Sequence, residues 1–284
     1  MEKQANKLNF IETGIDGPTL VFIPGLSGTA RYWQGRLGAL EKKYHILLID
    51  PLGFGDSPKP WSRYTIDSHV EALYQTLKNE KRFVLIGHSM GTLLSIAYTA
   101  RHPEQVERLV LLSIPFFSNT NEARRFFSSQ PVPYGWFFSN MVLAAVICMI
   151  TRRVFGRFMP YFRPDLPREV AADIVKHSWR SFTSSFWEVI CNYDARKDAA
   201  ALGDLPVLCI HGDQDETAPL TGALMLAAGR PSWQTHILNG VDHQPWLRAP
   251  KVCQMDVDTG SASRSLIGKY QTSRYIVFVE DQSM

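Results

Sequence analysis

The sequence predicts an α/β fold: a mostly parallel sheet with helices on both faces and a helical insertion near its middle. Three observations carry that expectation. Short apolar runs alternate with helical patterns over residues 8–114 and again from about 201 to 250. A strand passes into a helix with no intervening loop at FVLIGHSMGTLLSIAYTA, residues 83–100. Between about 115 and 200 the alternation stops, and an aromatic-rich segment takes its place. Apolar strands alternating with helices require a sheet covered on both faces.

The elements follow in order. Strand-like runs occur at LNFIET (8–13), TLVFIP (19–24), HILLID (45–50), FVLIG (83–87), RLVLLS (108–113), PVLCIHG (206–212) and WQTHILNG (233–240). Helical periods fall at 65–79, where Thr65 or Asp67 is the candidate cap, and at 90–101, which Pro103 ends. In such sheets chemistry collects at the carboxyl ends of the strands.

The junction at 83–100 is the most informative stretch. Phe83 to Ile86 reads as a buried strand, and Leu93, Leu94, Ile96, Ala97 and Ala100 recur at helical spacing. The turn between them is Gly87-His88-Ser89-Met90-Gly91. A turn this tight crowds the backbone, and the flanking glycines remove the Cβ atoms that would collide. Ser89 is thereby held at a strand's carboxyl end and a helix's positive end, where a nucleophile and the oxyanion it creates are stabilised.

The segment 115–200 holds 17 of the chain's 33 aromatic residues and 11 Lys or Arg against 7 Asp or Glu. It reads as a helical cap over the sheet. Within it MVLAAVICMI (141–150), after Trp136, Phe137 and Phe138 and before Arg152 and Arg153, is the most apolar run. It has about half the roughly 20 residues a membrane span needs. A buried cap helix is the expectation. The alternative is a lid that lines an apolar acyl pocket or rests on a lipid surface.

Composition is that of an ordinary globular chain: 45% hydrophobic, 20% charged, net charge +3. There is no basic stripe, zinc-ligand spacing or phosphate-binding glycine loop, so nucleic acid, metal and cofactors are not expected. Cys148, Cys191, Cys209 and Cys253 are scattered, and buried free thiols in a reducing compartment are expected. The N-terminus lacks an apolar core of signal-peptide length, so the expected location is cytoplasmic, with lipid contact through the cap left open.

A nucleophilic serine needs a base and an acid. Asp213, Asp215 and Glu216 all follow the strand at 206–212 and are candidates for the acid. His243, in the loop NGVDHQPW after the last apolar strand, is the candidate base. The other histidines have blander readings. His45, His211 and His236 lie in or beside strands; His69, His102 and His177 lie in or at helices; His88 sits in the serine turn.

Together the pieces IPGLSGTARYW, LIDPLGFGDSPKP, LIGHSMGTLLSIAYTARHPEQVERLVLLS, HGDQDETAP and NGVDHQPWLRAP resemble the α/β-hydrolase superfamily, in the branch with a helical cap inserted after the sixth strand. The resemblance implies a sheet of the eight-stranded type and a catalytic triad. Its acid falls on Asp215, the second aspartate of Gly212 to Pro219, and its base on His243. It places the oxyanion hole at the backbone N–H groups of Leu26 and Met90, although Pro24 stands where many members have histidine. Residues 1–114 and 201–250 become the core and 115–200 the cap. The family pattern adds a further helix after APK (249–251). Here the sequence shows no clear helical period, TGSAS reads as a loop, and RYIVFVE reads as a lone strand. Residues 251–284 are therefore expected to form an atypical tail.

The expected function is hydrolysis of a carboxylic ester or thioester of an apolar small molecule, through an acyl-enzyme on Ser89. Serine at the turn argues against dehalogenase or epoxide hydrolase chemistry, which would require aspartate there. Two other readings stay open: a carbon–carbon bond hydrolase of the ring-cleavage-product type, and a non-catalytic ligand-binding protein. No obligate protein partner is inferred.

Overall fold

A computed structural model of the chain describes residues 7–131, 141–150, 158–260, 267–272 and 275–280. Seven strands form the main sheet: β1 (Phe10–Gly14), β2 (Thr19–Ile23), β3 (His45–Ile49), β4 (Phe83–His88), β5 (Val106–Leu112), β6 (Val207–Gly212) and β7 (Trp233–Leu238). Their spatial order is β1-β3-β2-β4-β5-β6-β7. Strand β1 runs antiparallel to β3, and every other neighbouring pair among the seven is parallel.

Alternation along each strand divides the core in two. In β2, Val21 and Ile23 face one apolar cluster with Leu73, Leu94 and Tyr98. Leu20 and Phe22 face another with Trp33, Trp246 and Val257. Helices α1 (Ile66–Leu77) and α2 (Met90–Arg101) cover the first face. Of the two candidate caps of α1, Thr65 serves: its side chain accepts from the Ser68 N–H at 3.2 Å.

Between β5 and β6 lie α3 (Thr120–Ser128), α4 (Met141–Ile150), α5 (Met159–Phe162), α6 (Arg168–Asp173), α7 (Trp179–Ser185) with a following π-helical turn (Phe186–Cys191), and α8 (Ala195–Ala201). This insertion lies between β5 and β6. Side-chain bonds tie it to the core loops. The Thr29 hydroxyl donates to buried Asp173 at 2.8 Å, the Ser181 hydroxyl to the Gly53 carbonyl at 2.9 Å, and the Tyr64 N–H to Ser184 Oγ at 2.7 Å.

Three expectations need correction. Helix α4 is not buried. Its inner side meets α7, while Val142, Val146, Met149 and Ile150 are exposed. The flanking Trp136 to Phe138 and Arg152 and Arg153 lie outside the described residues. Nor is the chain after residue 249 devoid of helix. After α9 (Leu220–Ala227) and the short α10 (Pro245–Arg248), α11 spans Pro250–Thr259, with Cys253, Asp256 and Val257 buried. The period is hidden in the sequence because one of its three inward positions is a carboxylate, Asp256, which accepts from His236 Nδ1–H at 2.6 Å in the core. RYIVFVE is not a lone strand either. Strand β9 (Tyr275–Glu280) pairs in parallel with β7 and antiparallel with β8 (Ile267–Thr272). Cys191 and Cys209 are free and buried, and Cys253 is buried.

Candidate active site

The site forms where four strands end. Ser89 follows β4 and caps α2 with φ +51° and ψ −122°, a conformation that costs a non-glycine residue free energy. The neighbouring glycines are required by contact. A Cβ on Gly87 would come within 2.6 Å of the Gly91 carbonyl oxygen, and one on Gly91 within 2.3 Å of the Ile23 carbonyl oxygen. The Ser89 N–H is anchored to the Leu112 carbonyl at 2.8 Å.

His243 Nε2 lies 3.0 Å from Ser89 Oγ. Its Nδ1 lies 2.9 Å and 3.0 Å from the two oxygens of Asp215. An ionised carboxylate only accepts, so Nδ1 carries the proton and the Nε2 lone pair faces the serine hydroxyl. The Asp215 side chain is fully buried. Burial alone would raise its pKa. Hydrogen bonding and charge from His243, the nearby His211 and the Ala218 N–H outweigh that and bring it down to about 2. Of the three acidic candidates, Asp215 reaches the histidine. Asp213 instead accepts from the Gly240 N–H at 2.7 Å, and Glu216 is exposed.

Leu26 and Met90 both flank the serine. Met90 opens α2, at a position whose N–H has no intrahelical acceptor. The loop carrying Leu26 presses on Ser89 so closely that a Cβ on Gly25 would sit 2.9 Å from Ser89 Cβ. Asp50 fixes the loop from behind, accepting from the Ala30 N–H at 2.7 Å, the Asp56 N–H at 2.8 Å and the Asn9 amide at 2.9 Å.

Two histidines that read as bland in the sequence buttress the site. His88 donates from Nε2 to the carbonyl of His243 at 2.8 Å and stacks on Tyr32 at 4.7 Å. Burial, with the neighbouring His243, lowers its pKa to about 3, which keeps it neutral. His211 donates from Nε2 to the Ala218 carbonyl at 2.9 Å, with Asp215 Oδ2 3.3 Å away. Their only sequence signal was placement at the ends of strands that carry site residues.

Ser89 and His243 open onto a cavity of about 310 Å³. Phe127, Leu166, Val170, Ile174, Phe182 and Phe186 of the insertion line one wall, and the Gly25–Gly28 turn lines the other. Among the described residues no His, Cys, Asp and Glu side chains gather as a metal-binding group.

The model of the alpha/beta hydrolase fold family matches residues 18–246. The chain belongs to that family. It is 24% identical over 254 residues to a protein named probable lysophospholipase BODYGUARD 5 from Arabidopsis thaliana, covering 79% of this chain and 57% of that protein. The chain thus spans under two thirds of the length of that curated relative. Among solved structures, a bromoperoxidase from Bacillus anthracis superimposes with a TM-score of 0.72 at 22% identity, over 89% of this chain and 94% of that one. An enol-lactonase from Burkholderia xenovorans gives 0.68 at 22% identity, over 90% and 97%. At these identities the likeness shows the fold.

Proposed function

We propose that the chain is a serine hydrolase that cleaves a carboxylic ester or thioester of an apolar small molecule. The observation that carries this reading is the continuous relay from Ser89 Oγ through His243 to buried Asp215, opening on a cavity with an apolar wall.

The relay has a direct chemical use. His243 Nε2 takes the hydroxyl proton as Ser89 Oγ attacks the carbonyl carbon. The carbonyl π electrons move to oxygen, and the N–H groups of Leu26 and Met90 receive the oxyanion. One such donor is worth about 3–4 kcal/mol of barrier. Collapse expels the alcohol or thiol, which leaves with the proton from His243. Water then attacks the acyl-enzyme, gives its proton to His243, and the acid departs as Ser89 regains its hydrogen. Asp215 holds the Nδ1–H tautomer and stabilises the imidazolium. The aromatic wall suits an apolar acyl or alcohol part.

The test is labelling with a fluorophosphonate probe, with Ser89→Ala as control, followed by p-nitrophenyl esters of increasing chain length. Labelling confined to the wild type, and turnover that rises with chain length until the cavity is filled, is the expected result. A folded wild type that takes no probe would overturn the assignment.

A further inference from the structure

Helix α6 of the insertion touches the site in two ways. Val170 within it and Ile174 just past its end line the cavity that holds Ser89. Between them Asp173 reaches the loop beside the serine, with its side chain only 4% exposed. A carboxylate at that depth costs free energy unless each oxygen is satisfied. Oδ1 has the Lys176 ammonium at 3.1 Å and the Arg31 guanidinium at 3.6 Å. Oδ2 accepts from the Thr29 hydroxyl at 2.8 Å. Thr29 Oγ1 also accepts from the Arg31 N–H at 3.3 Å, so its one hydrogen is committed to Asp173.

Thr29 stands three residues after Leu26, one of the two residues whose N–H groups are assigned to the oxyanion. The residues between form a closed turn. The Gly28 N–H donates to the Gly25 carbonyl at 2.9 Å, and Ser27 holds φ +61°. A turn in an unfavourable conformation persists only where its surroundings fix it. The core fixes this one through Asp50, which accepts from the Ala30 N–H at 2.7 Å. The insertion fixes it through Asp173. The tethers from Ser181 and Ser184 end instead at Gly53 and Tyr64, between β3 and α1.

We infer that Asp173 is a positioning residue for the oxyanion hole: through Thr29 it holds the Leu26 N–H where the oxyanion forms. A donor stabilises developing charge by being fixed in place beforehand, so a small displacement forfeits much of its effect. The insertion thereby belongs to the catalytic apparatus as well as to the cavity wall. The inference rests on the serine-hydrolase reading.

The test starts from Thr29→Val, which removes the hydroxyl, and Thr29→Ser, which keeps it. On a p-nitrophenyl ester Thr29→Val should lose about tenfold in kcat with KM within about threefold of the parent, because a displaced donor weakens the transition state alone. Thr29→Ser should restore kcat. The Ki of an aryl trifluoromethyl ketone should rise by the same factor. Ser89 Oγ adds to the carbonyl carbon of that ketone, the hydroxyl proton passes to His243, and the carbonyl oxygen becomes an oxyanion with no leaving group to expel. Asp173→Ala approaches the same bond from the insertion and should lose as much kcat. It strands no buried charge, since Arg31 and Lys176 are 46% and 33% exposed, and so serves if Thr29→Val does not fold. The double variant should lose no more than either single one. Ser184→Ala, which breaks the tether to Tyr64, should keep the parental kcat. An equal loss in Ser184→Ala would refute the inference, because Asp173 would then be one tether among several. Parental kcat and Ki in a folded Thr29→Val or Asp173→Ala would also refute it, as would a Thr29→Ser as impaired as Thr29→Val. A wild type that takes no fluorophosphonate overturns the hydrolase reading and this inference together. A labelled, active wild type beside unimpaired variants overturns this inference alone.

Discussion

Asp215→Asn tests the relay at its least obvious joint. Asp215 Oδ1 accepts from two backbone N–H groups, Thr217 at 2.9 Å and Ala218 at 2.8 Å. In the asparagine variant the amide oxygen must keep that position, because an NH2 there would face two donors. The NH2 then takes the place of Oδ2, which faces His243 Nδ1 at 2.9 Å and His211 Nε2 at 3.3 Å. It offers hydrogen where Nδ1 also carries hydrogen, and the oxygen at Oδ1, 3.0 Å from Nδ1, is already engaged by two N–H donors. His243 relieves the conflict by moving its proton to Nε2, and that nitrogen can no longer accept from Ser89. Loss of the correct tautomer together with loss of the charge opposite the imidazolium costs about 10⁴-fold in turnover in triads of this kind, or about 5 kcal/mol of barrier. Volume is unchanged, so the fold should hold. Circular dichroism should match the parent, while kcat on a p-nitrophenyl ester and the rate of fluorophosphonate labelling both fall by about four orders of magnitude. A well-folded variant within tenfold of the parent in both would refute tautomer control by Asp215.

Three further outcomes are expected. Ser27 has φ +61°, in the left-handed region that favours glycine, so Ser27→Gly should raise stability by about 1 kcal/mol, or 2–4 °C in Tm; a lower Tm would refute the strain argument. A Cβ on Gly212 would sit 2.0 Å from the Val241 carbonyl oxygen and 2.8 Å from that of Asp242, so Gly212→Ala should push away the loop that carries His243. It should lose about 1–3 kcal/mol of stability and most of its activity, and a variant with parental Tm and kcat would contradict that contact. His69 and His88 are held neutral by burial, each with its pKa lowered to about 3 from 6.5. The unfolded chain takes up protons on these groups below pH 6.5 while the fold does not until near pH 3. Stability is therefore complete above pH 6.5 and should fall by about 2 kcal/mol per histidine by pH 5, as urea unfolding at the two pH values will show. Equal unfolding free energies at pH 7.5 and 5.0 would exclude this.

Much of the candidate site was legible because its signals are local. A strand-to-helix turn with glycine on either side of Ser89 is a property of five consecutive residues, and each glycine is demanded by a backbone contact within the turn's immediate surroundings. The acid was less so. Asp213, Asp215 and Glu216 are equivalent in a linear reading, and only the resemblance singled out Asp215. The geometry separates them by hydrogen bonding: Asp213 closes a turn at Gly240, while Asp215 is buried against His243. His88 and His211 gave no sign of their positions behind the site, because their partners are backbone carbonyls 155 and 7 residues away.

The alternation of apolar runs and helical periods by itself determined the parallel sheet, the order of its elements and the break at the insertion, because burial on two faces imposes periodicity on every strand and helix. Only the tertiary structure decided which faces are covered. The run 141–150 is apolar all round, so no period within it distinguishes a buried helix from one that turns Val142, Val146, Met149 and Ile150 outward. In α11 the reverse holds. Asp256 reads as a solvent residue until the fold brings His236 against it, and a buried polar pair of this kind is invisible to any pattern that sorts residues by hydrophobicity alone.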